Sequence, residues 1–184
     1  MDNRYTAVLQ RQLEELSILH AAASVCVEAT DEDELFKHIT DLIGTQLFPE
    51  EFGVLIVDQR NGGLRLHSSY RGVPDILEEI YIPPGKGITG RVVKTGQSLR
   101  IADVSKEADF IKVFPNVFPC SELCVPIKIG EQVIGVFNAQ SAEYDAYSEA
   151  DQQLLTTVAG QVAIAIDRLR SASSERLRAK QLAT

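Results

Sequence analysis

Ser121-Glu-Leu-Cys-Val-Pro-Ile-Lys-Ile129, Gly130-Glu131 and Gln132-Val-Ile-Gly-Val-Phe-Asn-Ala-Gln140 make up the stretch on which the fold turns. Two runs rich in β-branched and apolar residues flank a two-residue Gly-containing turn, which predicts an antiparallel hairpin at the centre of a sheet. Successive strand side chains point to opposite faces. Leu123, Val125 and Ile127 therefore share one face, as do Val133, Gly135, Phe137 and Ala139 in the second strand. That face is apolar and small enough for helices to pack closely. The other carries Glu122, Cys124, Asn138 and Gln140 beside Ile134 and Val136. Polar groups over a central strand need partners, water or a ligand. An enclosed hollow is the expectation there, with a solvated or loop-covered sheet face as the alternative.

Upstream of the hairpin, Ile80 to Ile82 reads as a short strand ending at Pro83-Pro84. Gly85-Lys-Gly-Ile-Thr-Gly90 then opens a helix over 87–94 that Gly96 stops. Phe52 to Asp58 and Leu64 to Tyr70 are joined by Asn61-Gly-Gly63, a second hairpin signal. Ser98 to Ile101 is a brief strand. Between Asp103 and Pro119 no period is evident, which predicts loops around a short helix near Ser105 to Phe110, acting as a lid.

Both termini read as helices. From Tyr5 to Ala29 there is no Pro or Gly, and Leu9, Leu16, Leu19, Ala23 and Cys26 mark an apolar seam. Thr30-Asp-Glu-Asp33 resembles a capping box, with Thr30 at the cap, opening a second helix through Leu35, Ile39, Leu42, Ile43 and Leu47. Ser148-Glu-Ala-Asp151 repeats that signature. Beyond it, Leu155, Val158, Val162, Ala165, Leu169 and Ala172 form a heptad-like seam.

At 184 residues, with 45% hydrophobic and 24% charged side chains, the chain suits one globular domain with helical extensions. A formal net charge of −8 opposes nucleic-acid binding, which needs cations to displace condensed counterions. The basic cluster from Arg168 to Lys180 reads as a solvated helix end. No apolar run is long enough to span a membrane and no signal peptide is evident, so a cytoplasmic protein without membrane insertion is expected. Cys26, Cys120 and Cys124 lack metal-ligand spacing and read as reduced thiols.

Gly85-Lys-Gly-Ile-Thr-Gly-Arg-Val-Val93, Ile101-Ala-Asp103, Ser121-Glu-Leu-Cys-Val-Pro-Ile127 and Gly135-Val-Phe-Asn-Ala-Gln-Ser141, in that order, resemble a GAF domain over roughly residues 30–168. The resemblance implies an α+β fold: an antiparallel sheet with terminal helices packed on one face and a ligand pocket under a lid on the other. Such domains serve mostly as sensor or dimerisation modules in signalling proteins. The implied organisation is an N-terminal signalling or dimerisation helix (1–29), the GAF domain (30–168) and a C-terminal helical extension (169–184). Expected pocket residues are Ile56 from the first strand, Ile82 and Ile88 beside the glycine turn, Val92 on the short helix, Ile101 and Asp103. Phe110, Phe114 and Phe118 are expected from the lid, and Glu122, Cys124, Asn138 and Gln140 from the central strands.

Chemistry has no clear carrier. Gly85 to Gly90 fits G-x-G-x-x-G, but no βαβ repetition surrounds it, and no acidic residue closes a second strand where a dinucleotide's ribose would need one. Some relatives reduce free methionine sulfoxide with cysteines in the glycine turn and lid. Here Thr89 occupies the turn, and Cys120 and Cys124, if both in one strand, lie ~13 Å apart, beyond the ~7 Å that a disulfide spans. Bilin-binding relatives use a Cys-His pair, absent from this chain. His20, His38 and His67 read as surface or satisfied histidines rather than haem ligands. The cyclic-nucleotide signature of other relatives is broken at Ala139, Tyr147 and Gln152. No Ser-His-Asp set, zinc motif or phosphate-binding loop stands out in the sequence. The expectation is therefore a non-enzymatic sensory module with an unidentified small-molecule ligand and no assignable cofactor. It would form a homodimer through its terminal helices and act on an output signalling domain. A dimerisation spacer without ligand and a methionine sulfoxide reductase are the alternatives.

Overall fold

A computed structural model describes residues 3–73, 80–113 and 117–182. In chain order the elements are α1 (Asn3–Glu28), α2 (Glu32–Gln46), β1 (Glu51–Val57), β2 (Leu64–Leu66), β3 (Tyr81–Ile82), α3 (Gly87–Thr95), β4 (Leu99–Ile101), a 3-10 turn (Val104–Lys106), β5 (Ser121–Ile129), β6 (Gln132–Ser141) and α4 (Glu149–Leu182). The described strands form one antiparallel sheet in the order β3-β2-β1-β6-β5-β4. The fold is α+β, as the hairpin pattern predicts. β1 and β6 are its middle strands, and Gly130-Glu131 joins β5 to β6.

One face of the sheet is sealed by α2 and α4. Phe52, Val54, Leu123, Val125, Phe137 and Ala139 meet Leu35, Ile39 and Ile43 of α2 and Leu155, Val158, Val162 and Ile166 of α4. Fully burying one such Leu, Ile, Val or Phe side chain stabilises the fold by ~1.5–3 kcal/mol, which is why these positions specify the layer. The seam of α4 from Leu155 to Ala165 is therefore used internally, against the sheet, rather than left for a second copy. Helix α1 packs on α2 and α4 through Ile18, Ala22 and Cys26. The Arg168 guanidinium donates to the carbonyls of Cys26, Val27 and Ala29, three acceptors that a helix end otherwise leaves open. Near the other end, Arg11 lies 3.4 Å from the Ser148 hydroxyl and 3.9 Å from the Asp151 carboxylate. These two contacts show that α1 and α4 run side by side in the same direction.

Local chemistry moves three expectations. The cap of α2 is Asp31, not Thr30: its carboxylate accepts from the Glu34 N–H, while the Glu34 carboxylate takes the Thr30 N–H and hydroxyl. The box is there, displaced by one residue, because Asp31 has the stronger acceptor. In β6 the alternation slips at Ile134, an extra residue opposite the Ile127–Lys128 step of β5: Lys128 pairs with Val133 and Ile127 with Gly135. Ile134 is thereby turned to the α2/α4 side and Val133 to the other, the reverse of their expected faces. The segment after β4 carries a 3-10 turn in place of the expected short helix, with Asp103 capping Ser105.

The opposite face receives α3 and the loops. The glycine turn before α3 closes tightly, since a Cβ at Gly90 would lie 2.7 Å from the Gly85 carbonyl carbon and the backbone there cannot yield. We expect Gly90→Ala to lower stability by about 1–3 kcal/mol, read as a fall in urea midpoint with unchanged slope, and Gly160→Ala, where a Cβ meets open space, to raise or leave it unchanged.

Candidate functional site

Register places the polar residues in rows across the sheet face beneath α3. Glu51 stands opposite Gln140, Gln140 opposite Glu122, and Glu122 opposite Ile101. In the next row Gly53 faces Asn138, and Asn138 faces Cys124. Gly53 has no side chain because Tyr70 lies across it: a Cβ there would sit 2.4 Å from the Tyr70 ring and 2.7 Å from its Cα. That close approach lets the Tyr70 hydroxyl donate to Asn138 Oδ1 at 2.7 Å. Asn138 is thereby oriented with its amide nitrogen toward Glu122, donating to Oε1 at 2.5 Å, while Gln140 Nε2 donates to Oε2 at 3.1 Å. Tyr70, Glu122 and Asn138 are all buried.

A cavity of about 30 Å³ lies over this network. Leu55, Leu66, Tyr70 and Ile82 wall one side, Gly87, Ile88 and Thr89 at the start of α3 another, and Phe110, Ile111 and Val113 of the segment after the 3-10 turn a third. Glu122, Asn138 and Gln140 form its polar end. One water needs at least ~10–15 Å³ measured this way, so the hollow as it stands holds one or two. Arg91 of α3 reaches across to that segment, 2.5 Å from the Glu107 carboxylate and 3.3 Å from that of Asp109.

Burial dominates the electrostatics. It pushes the Glu122 carboxyl up to about 7, against the opposing pull of the Asn138 and Gln140 amides and the Arg91 charge. No cation lies within ion-pair distance of Glu122 among the described residues. Glu51 is also raised to about 7, by burial and then by the neighbouring Glu50 and Glu122 charges. Its Oε2 is buried without a hydrogen-bond partner. The Tyr70 phenol and the Cys124 thiol are both driven well above their usual ranges by burial and stay protonated. What the cavity offers is spare acceptor capacity in a low-dielectric setting: carboxyl lone pairs on Glu122 and the Gln140 amide oxygen, with Glu51 in the same row outside the cavity lining.

Of the residues expected at a pocket, Ile82, Ile88, Phe110, Glu122, Asn138 and Gln140 line the cavity. Ile56 does not: it packs on the α2/α4 side, and Leu55, one residue earlier, faces the cavity. Val92, Ile101 and Cys124 belong to the apolar layer around the cavity without lining it. Asp103 is occupied as the cap of the 3-10 turn. Phe118 is 71% exposed, with the Lys112 ammonium 3.4 Å above its ring. Phe114 lies outside the described residues. Leu55, Leu66, Tyr70, Thr89, Ile111 and Val113 were missed. Val54 and Ile56 share the parity of Phe52 on the helix side, which puts Leu55 on the cavity side, but the nearly continuous apolar run of β1 leaves that phase unmarked in the sequence. Nothing in the sequence announces that Tyr70 folds back over Gly53.

The structure does assemble a Ser, a His and an Asp that are scattered in the sequence. His67 lies 2.9 Å from the Asp33 carboxylate and 2.8 Å from the Ser69 hydroxyl, which also donates to Thr40. None of the three lines the cavity, and the Ser69 N–H also donates to the same ring nitrogen, so the arrangement closes a turn against α2. Among the described residues, no three His, Cys, Asp or Glu side chains are grouped to hold a metal, and no helix is long and apolar enough to cross a membrane.

The family model for the GAF domain matches residues 29–167. The chain is 26% identical over 187 aligned positions to the nitrogen fixation protein VnfA of Azotobacter vinelandii, covering 89% of this chain and 36% of that protein. It is 30% identical to the free methionine-R-sulfoxide reductase of Escherichia coli, covering 45% of this chain and 49% of the enzyme. Thus it spans between about a third and half of the length of these relatives. Among solved structures, the free methionine-R-sulfoxide reductase of Neisseria meningitidis in complex with its substrate superposes with a TM-score of 0.77, at 23% identity over 86% of this chain and 91% of that one. Enzymes thus stand among the chain's relatives, and the expectation of a non-enzymatic protein is corrected: the likeness leaves no ground for excluding catalysis. The domain-wide match over residues 29–167, together with the antiparallel sheet and its helical layer, establishes that the chain belongs to the GAF domain family.

Proposed function

We propose that this GAF domain is a sensory module that binds a small molecule over Glu122, Asn138 and Gln140 and passes its occupancy to α4 and an output domain. The observation that carries this is Glu122, a buried carboxyl that two side-chain amides hold in place without a cation. A fold that needed only a spacer would gain by an apolar residue there, since burying a charge is costly unless it is paired. The ligand class follows from the unused acceptors and the apolar walls: a compact molecule with a hydrocarbon part and a donor nitrogen, preferably an ammonium. Free methionine sulfoxide, the compound that the reductases among the relatives are named for, is such a molecule. The similarity to part of a longer nitrogen fixation protein supports a module within a larger chain.

The relay has a physical route. A hollow that holds one or two waters admits a metabolite only if Phe110, Ile111 and Val113 move, so binding displaces the segment that Arg91 holds. At the root of that segment, the Ala102 carbonyl accepts from the Asp145 N–H. Three residues later Ser148 caps α4, its N–H and hydroxyl both donating to Asp151. Motion of the segment thus reaches the start of the long helix through one backbone hydrogen bond. A ligand shifts α4 only by the difference between its affinities for the two arrangements.

In a thermal-shift series, free methionine sulfoxide and other small amines are expected to stabilise the wild type, by about 2.7 kcal/mol at 100 times Kd, and Asn138→Leu is expected to abolish the effect without unfolding the domain. If no compound of this class moves the melting temperature, the spacer reading replaces the sensor. The same samples, given reductant and free methionine sulfoxide, report turnover directly, and loss of that turnover in Cys120→Ser would identify a reductase.

The pH dependence follows from the raised carboxyls. A folded-state pKa near 7 lies above the unfolded value near 4.5, so the native state holds more protons than the unfolded chain between those limits. The stabilisation is full below about pH 4.5 and is lost as pH rises toward 7. Ionisation of Glu122 alone should therefore cost the free protein on the order of 3 kcal/mol between pH 5 and pH 8, with Glu51 adding to the slope, and Glu122→Gln should make that slope shallower and leave the protein more stable than wild type at pH 8. Urea titrations at four pH values check it. An ammonium ligand, which favours ionised Glu122, should bind more tightly as pH rises through 7.

A further inference from the structure

Helix α3 begins without a cap. Lys86 holds the cap position in extended backbone, and a lysine side chain has no acceptor to offer the open N–H groups of a first turn. The Gly90 N–H donates to the Lys86 carbonyl, but among the described residues no acceptor meets the N–H groups of Gly87, Ile88 or Thr89. Such an opening turn carries a partial positive charge of about half an elementary unit, which favours an anion. A second observation is independent of the helix end. Thr89 is only 7% exposed and lines the cavity, yet its hydroxyl has no hydrogen-bond partner among the described residues. Thr40, Ser121, Glu122, Asn138 and Ser141 are buried more deeply, and each hydrogen-bonds through its side chain. A buried hydroxyl left open at the wall of a hollow is a group that awaits a partner there.

We infer that Thr89 and the opening N–H groups of α3 form an anion subsite over Glu122, so that the pocket takes an α-amino acid as its zwitterion. This rests on the ligand reading above and adds the group that the ligand carries besides its nitrogen. Helix α3 lies over β5 and β6, which sets the donors on the roof of the cavity and Glu122, with the Gln140 amide oxygen, on its floor. The ligand's ammonium meets the floor and its carboxylate meets the roof. Both ends border one hollow of about 30 Å³, so the two charges are borne close together, on a single carbon, rather than at the ends of a long chain. The amino acid's side chain lies against Leu55, Leu66, Ile82 and Ile88, which suit a hydrocarbon or thioether. Arg91, the nearest full cation on α3, is already committed to Glu107 and Asp109, so the carboxylate is held by neutral donors. A plain amine would leave Thr89 and the open N–H groups against hydrocarbon, and a site built to hydrogen-bond a ligand rejects the analogue that lacks the matching group.

Matched compounds test it. Free methionine sulfoxide, methionine and leucine are each compared with their carboxamide and with their decarboxylated amine, by calorimetric titration of the full 184-residue chain. At least one free acid should bind about 30-fold more tightly than its amide and its amine. Thr89→Val, which keeps the side chain's volume, should weaken that acid by about tenfold and leave the amine unchanged, while Thr89→Ser keeps the wild-type affinity. Lys86→Asn supplies a side chain that caps α3 from within: the melting temperature of the free protein should rise, and the acid should bind about tenfold more weakly. Lys86→Gln removes the same charge without an effective cap and should change the affinity by less than about threefold. Two opposite responses in one variant, firmer folding and weaker binding, separate an occupied subsite from damage to the fold. If every acid that binds does so no more tightly than its amine or its amide, the inference falls and the ligand reading stands; if no compound of the panel binds, both fall. A folded Thr89→Val or Lys86→Asn variant that binds the acid as the wild type does also overturns the subsite.

Discussion

A carboxylate buried without a counter-charge sets the terms for the cavity side of this domain. Glu122 stands on β5, the first of two strands whose other face is committed to the helical layer, so it cannot turn away without inverting the hairpin. Its cost is contained by two amides, and each amide is in turn constrained. Asn138 presents its nitrogen because Tyr70 occupies its oxygen, and Tyr70 reaches it because position 53 is glycine. Gln140 stands between Glu122 and Glu51, and the unpartnered oxygen of Glu51 extends the same acidic row onto β1. Buried networks of this kind stabilise a protein less than an apolar replacement would. Their persistence is best understood through what they can receive.

The hairpin and the capping signatures were legible in the sequence because they depend on nearest neighbours: alternation, a two-residue turn, and a carboxylate three residues from a hydroxyl. The face that carries Glu122, Asn138 and Gln140 follows from the same parity. Legibility ends where the chain departs from its period or folds back over distance. The bulge at Ile127/Lys128 exchanges Val133 and Ile134, and no local pattern distinguishes a strand of ten regular residues from one with an extra residue inserted. Ile56 was expected at the cavity for want of a fixed phase in β1, whose burial is nearly continuous on both faces. Tyr70 was invisible because its role depends on a contact with Gly53, seventeen positions away. Phe118 was misplaced because an aromatic in an aperiodic loop carries no directional signal.

The terminal helices show the same limit in another form. The sequence marks apolar seams on both, and each seam mixes residues bound for different surfaces. On α4 the marked residues from Leu155 to Ala165 belong to the core. On α1, Cys26 faces inward while Leu9 and Leu16 face outward. Spacings of three and four describe both a core-packed helix and a coiled coil, and only burial separates them.

That separation bears on how a signal would leave the domain. Helix α4 is fixed along the sheet by Leu155 to Ile166, and its last dozen residues project beyond the layer with every described side chain from Ser173 onward exposed. Helix α1 runs beside it in the same direction, tied at one end by Arg11 to Ser148 and at the other by Arg168 to the carbonyls that end α1. The capping residues that follow the Ala102–Asp145 hydrogen bond are the same ones that Arg11 contacts, so a shift of α4 along its axis would load those exposed contacts, worth at most about 1 kcal/mol each, together with the core that α1 and α4 share. The two helices move as a pair or the Arg168 contacts break. A rigid pair has few ways to move against a sheet, and translation or rotation along the common axis is the one that costs the fewest buried contacts.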